Sequence, residues 1–103
     1  KHKQQLLIQL GDANVKFKDE KKNLILLMEE CAEVQQVCAK ILRFGIDDTN
    51  PQNLKTNRQL LEQELGDVHA IIGILVENRT ISPNQLAIHE LKKLRKLEDW
   101  YEI

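Results

Sequence analysis

Residues 56–76 read TNRQLLEQELGDVHAIIGILV. Thr56 with Gln59 three positions on is a capping box, the signature of a helix start. Past it, apolar residues crowd the chain until only His69 is polar between Val68 and Val76. A helix apolar on most sides is expected to be buried on most sides. Glu64 and Asp67 stand just before this run, and a buried carboxylate needs a partner. The stretch therefore predicts a central helix and raises the question of what holds its two acids.

The segments around it read as helices too. Leu24, Leu27, Met28, Val34, Val37, Ile41 and Leu42 recur at helical spacing. They predict a helix from about Asp19 or Lys21 to Phe44, with Gly45 as its C′ residue. IDDTNPQNLK, 46–55, is a loop marked by Asp, Asn and Pro. The second helix is expected over about Asn57 to Asn78. Ser82, Pro83 and Gln85 give a second start signal. A third helix then runs from about Pro83 to Asp99 or Trp100. Upstream, KQQLLIQL at 3–10 is a short amphipathic helix candidate, and GDANVKFKD a polar joint. Residues 1–20 are thus read as an N-terminal extension, and 21–103 as the helical domain. No segment alternates as a strand does. The expected fold is all-α, an antiparallel helical bundle.

Composition agrees. A chain of 103 residues fits one domain with a thin core, so association of copies is expected. Apolar residues make up 42% and aromatics 4%, as in a Leu-rich helical protein. A net charge of −1 gives no global field for nucleic acid or a membrane. No apolar run is long enough to span a bilayer and no signal peptide is visible, which points to the cytoplasm. Cys31 and Cys38, seven apart on one helix, lie about 10.5 Å from each other. A disulfide needs less than about 7 Å, so both are expected to be free thiols, buried as small hydrophobes. Two stripes of small residues, Gly66, Ala70 and Gly73 on one helix and Ala32 and Ala39 on the other, predict close approach. With the apolar run at 68–76 they predict a homodimer or homotetramer.

The acids come in pairs. EECAE at 29–33 sets Glu30 and Glu33 about 60° apart around a helix, and ELGD at 64–67 repeats that spacing with Glu64 and Asp67. Alone, EECAE reads as a solvated face. The second pair, in an apolar setting, changes the reading. Four carboxylates between two helices call for a cation, and an all-oxygen set suits Mg²⁺ or Mn²⁺. A di-iron bundle would need Glu-x-x-His, which is absent here. Lys40 lies seven residues beyond Glu33 and Arg43 three further. Beside an acidic cation site they would hold phosphate, or else they are cations favoured at a helix C-terminus.

The ordered set EExxE, spacer, ExxD resembles the MazG-like all-α nucleoside triphosphate pyrophosphohydrolases. KILRFG at 40–45, Asp47-Asp48, and TNRQLLEQELGDV at 56–68 resemble a small phage and bacterial branch of that family. The resemblance covers about residues 22–100. It implies cleavage of an NTP or dNTP between the α- and β-phosphates, giving the monophosphate and pyrophosphate. It implies that Glu30, Glu33, Glu64 and Asp67 hold Mg²⁺, and that Glu29 orients or deprotonates the attacking water. It places phosphate contacts at Lys40 and Arg43, with Lys93 and Lys96 as further candidates. Trp100 or Tyr101 is a candidate to stack on a base or to cap the core at a helix end. His2, His69 and His89 carry no partner pattern. Two other readings compete: a non-catalytic helical oligomer, and a nucleotide-binding module that keeps the fold without turnover.

Overall fold

The computed structural model describes residues 17–101. Among them are three helices: α1, Glu20–Phe44; α2, Asn57–Glu77; and α3, Pro83–Tyr101. The described residues contain no strand, only one isolated bridge between Thr49 and Thr56. The helix expected at 3–10 lies outside the described residues. The three helices are those anticipated, and the caps explain where they begin. The Asp19 carboxylate accepts from the Lys22 backbone N–H at 3.1 Å. Thr56 and Gln59 exchange both bonds of the capping box, at 3.1 and 2.9 Å. Ser82 Oγ accepts from the Gln85 N–H at 3.3 Å. Each satisfies a donor that the first helical turn leaves unpaired.

α1 and α2 form an antiparallel hairpin fastened at both ends by asparagine. Asn57 is buried, and its amide donates to the Gly45 carbonyl at 2.9 Å. Its backbone N–H donates to the Asp48 carbonyl at 3.0 Å. At the far end the Phe17 carbonyl accepts from both Asn23, at 2.7 Å, and Asn78. Residues Asn23, Glu30 and Val37 follow one another at intervals of seven, as do Asn57, Glu64, Ile71 and Asn78. Seven residues return a helix to within about 20° of its starting face. These two series are the inner seam. The buried residues of α1 are Asn23 and Val37, and those of α2 are Asn57, Glu64, Ile71 and Leu75. Polar groups thus occupy positions where a hairpin of this kind ordinarily buries leucine.

The link from α1 to the loop turns on Gly45. Its φ of 98° and ψ of 154° lie in a region open essentially to glycine alone. Added bulk would meet no neighbour within 4 Å, so backbone conformation is what requires glycine here. α2 ends in a Schellman motif: Thr80 N–H donates to the Leu75 carbonyl at 2.9 Å and Arg79 N–H to that of Val76 at 3.0 Å. Arg79 takes the left-handed position, φ 60°, that glycine ordinarily fills.

That turn sends α3 away from the hairpin. No residue of α3 is buried, and Leu86, Ile88, Leu91 and Leu94 are each about half exposed. The expected antiparallel packing therefore holds for α1 and α2 but not for α3 within one chain. Close approach at the glycine stripe is also not met, because a side chain at Gly66 or Gly73 would contact nothing within 4 Å. Cys31 and Cys38 are free, as expected, but exposed rather than buried. They flank the seam instead of lying on it. No helix among the described residues is long and apolar enough to cross a membrane.

Replacing Gly45 by alanine is expected to lower unfolding free energy by about 1–3 kcal/mol, the usual cost of such strain. Urea denaturation of the two proteins measures it.

Candidate metal centre

The antiparallel register brings the two acidic pairs face to face. Glu30, Glu33, Glu64 and Asp67 each offer an oxygen, and these oxygens all lie within 4.8 Å of one another. Glu64 is 9% exposed, and Glu30 is partly buried. Glu33 and Asp67 are exposed at the mouth. The Oε2 atoms of Glu30 and Glu64 are both buried without a hydrogen-bond partner. An unpaired buried carboxylate oxygen is costly. Here two belong to members of one cluster of four acids, and no cationic side chain forms an ion pair with any of them among the described residues.

Electrostatics records the strain. Glu64 is pushed up from 4.5 to about 7. The first cause is a hydrogen bond with Glu33, which exists only when one of the two carboxyls keeps its proton. Burial, then repulsion from Glu33, Asp67 and Glu30, add to it. Glu30 is raised as well, first by burial and then by Glu33 and Asp67. Near neutral pH the cluster thus retains a proton that a divalent cation would displace.

The donor set fits such a cation. Oxygens on opposite sides of Mg²⁺ lie about 4.1 Å apart, twice the usual bond length. The 4.8 Å within which the four oxygens lie is close to that span. An all-carboxylate set excludes a thiolate or imidazole site and matches hard divalent cations.

The remaining candidates separate into three groups. Lys40 is brought to the cluster: with Glu33, Glu64, Asn50 and Asn53 it borders a groove of about 220 Å³. Glu29 is exposed and outside the set of four, because adjacent helical residues diverge by about 100°. Its charge still contributes to the raised Glu30. Arg43 lies over the Phe44 ring, 5.3 Å from its centroid. Lys93 and Lys96 border a different cavity, on α3 with Leu97 and Trp100. Trp100 and Tyr101 are exposed and pack edge-on against each other at 4.9 Å. Neither caps the core. Asn50 and Asn53 were not singled out in the sequence. They come from a loop whose path only the folded chain defines.

No protein-family model, curated protein or solved structure matches this chain.

The raised acids set a direction for pH dependence. Between 4.5 and about 7 the folded cluster holds more protons than the unfolded chain. Stability of the metal-free protein is therefore expected to fall as pH rises through that window. Melting curves in a chelator from about pH 5 to about pH 7.5 test this, and added Mg²⁺ should flatten the trend.

Proposed function

We propose that the chain is a Mg²⁺-dependent nucleoside triphosphate pyrophosphohydrolase of the MazG-like kind, with Mn²⁺ able to take the same place. The observation that carries this is Glu64. The residue is nine-tenths buried, its Oε2 is unpartnered, and one of its oxygens lies within 4.8 Å of oxygens from three other carboxylates. For structure alone, leucine at this seam position would serve better. A cation gives the arrangement a purpose. The EExxE and ExxD motifs then supply the reaction class.

Glu30, Glu33, Glu64 and Asp67 would hold the ion, whose role is to neutralise charge on the polyphosphate and favour ionisation of water. Lys40, at the open side of the same groove, meets a phosphate oxygen. Glu29, exposed beside Glu30, takes the proton as water attacks the α-phosphorus. The bond from that phosphorus to its bridging oxygen breaks, and pyrophosphate leaves. No covalent nucleophile is required. Arg43 reaches a phosphate only by leaving the Phe44 ring.

The protein works as a homo-oligomer in the cytoplasm. Among the described residues only Val37, Ile71 and Leu75 form the buried apolar core, while Leu24, Ile25, Leu26 and Met28 on α1 and Leu86, Leu91 and Leu94 on α3 stay exposed. A second copy seated on these faces gives α3 the partner that its own hairpin does not provide. It also offers the route by which Lys93 and Lys96 could meet a bound polyphosphate.

Replacing Glu64 by glutamine keeps the shape and removes the charge. The variant is expected to be at least as stable as the parent without metal, because repulsion is relieved. It should lose most of the Mg²⁺-induced rise in melting temperature. Pyrophosphate release from a panel of NTPs and dNTPs should fall by about 10²-fold or more. A metal-free variant clearly less stable than the parent would overturn the cation reading of this residue. If the parent is stabilised by Mg²⁺ and binds nucleotide but releases no pyrophosphate, it is a binding module.

Sedimentation at micromolar concentration should give a species of at least twice the 12.0 kDa chain mass. A species of chain mass alone would argue against the oligomer.

A further inference from the structure

The groove at the acidic cluster does not end at Lys40. Lys40 and Asn50 also border a second, larger cavity of about 430 Å³, which continues toward the end of α1. Its wall includes Phe44 and Pro51, and its rim carries Asp48 and Gln52. A volume of this size lies in the range of small-molecule sites, and so does its make-up of apolar wall and a few polar groups.

Three features give the cavity a direction. Phe44 is 62% exposed, an unusual position for one of the few aromatic rings of the chain. The Arg43 guanidinium lies over that ring and braces it. The two adjacent aspartates are in different situations. Asp47 is paired with Arg58 at 3.2 Å, whereas no ion pair involves Asp48 among the described residues. An aromatic face beside an uncommitted carboxylate suits a flat heterocycle with N–H groups on its edge. The distance is also suitable. Glu33 and Phe44 are eleven residues apart on one helix, which is about 16 Å along an ideal helix axis. That is of the order of an extended nucleoside triphosphate.

We propose that this second cavity is the base subsite: the nucleobase stacks on Phe44, with Pro51 beside it and its N–H edge facing Asp48, while Lys40 marks the passage to the polyphosphate. This assignment rests on the pyrophosphohydrolase reading. It adds that the inter-helix loop, rather than the C-terminal aromatics, reads the base. Trp100 and Tyr101 are then free of that role.

The test compares a ligand with a base and one without. With Mg²⁺ present, calorimetry measures binding of inorganic tripolyphosphate and of the α,β-methylene analogues of ATP, GTP, CTP and UTP, which resist cleavage. Phe44 is exposed, so Phe44→Ala should fold as the parent does. It is expected to weaken the nucleotide analogues by about 5- to 100-fold, the usual effect of losing one base–aromatic stack. Tripolyphosphate binding should change by less than about twofold, since that ligand has no base to stack. Asp48→Asn should alter the ranking among the four analogues and leave tripolyphosphate unchanged. Nucleotide binding unchanged in both variants would overturn the subsite. So would equal losses for tripolyphosphate and nucleotides, which would make the cavity a phosphate site. A parent that binds neither ligand overturns the pyrophosphohydrolase reading itself, and a parent that binds tripolyphosphate as tightly as the analogues overturns only the subsite.

Discussion

Everything in this structure depends on one seam, the line along which α1 and α2 face each other. Its two series, Asn23–Glu30–Val37 and Asn57–Glu64–Ile71–Asn78, put amides at the ends and carboxylates beside the centre. The amides satisfy loop carbonyls, Gly45 at one end and Phe17 at the other. They fix where each helix begins relative to the other. Once that register is set, Glu64 has to meet Glu33 and Glu30. A register error of one residue would swing every one of these side chains by about 100° and disperse the cluster.

The seam is a poor way to build a stable hairpin. The carboxylates occupy positions that would otherwise supply apolar burial, and the apolar core left over among the described residues consists of three side chains. The hydrogen bond with Glu33, then burial and repulsion, push Glu64 up to about 7 instead of the ordinary acid range. Local stability is given up where the acids are concentrated, a pattern that the proposed reading explains as a functional site. On the proposed reading, a cation and a second copy of the chain offset that cost. The first neutralises the cluster. The second covers the apolar faces of α1 and α3.

The loop between α1 and α2 links these themes. Gly45 turns the chain in a way other residues resist, and Asn57 anchors the return. The same short segment then places Asn50 and Asn53 at the acidic groove and Asp48 and Gln52 at the larger cavity. The connection that closes the hairpin thus borders both depressions. On the proposed reading, its position next to Lys40 makes it the part of the molecule best placed to distinguish one ligand from another.

Helix starts were legible in the sequence, because capping is local chemistry. Thr56 with Gln59, and Ser82 with Gln85, act within one turn and need nothing from the rest of the fold. The pairing of the acids was legible as well, since helical periodicity alone puts Glu30 beside Glu33 and Glu64 beside Asp67. What the sequence by itself determined was therefore an all-helical chain and two acidic faces. Their meeting, and the burial that leaves Glu64 Oε2 unpartnered, were decided by the tertiary register that the asparagines impose across the hairpin. The departure of α3 was likewise decided there. Arg79 adopts a conformation that its residue type does not announce, and the backbone bonds to Leu75 and Val76 hold it. Local propensity acts within a turn, whereas these features depend on bonds between residues as many as 61 positions apart, or on a strained backbone that only the folded chain sustains.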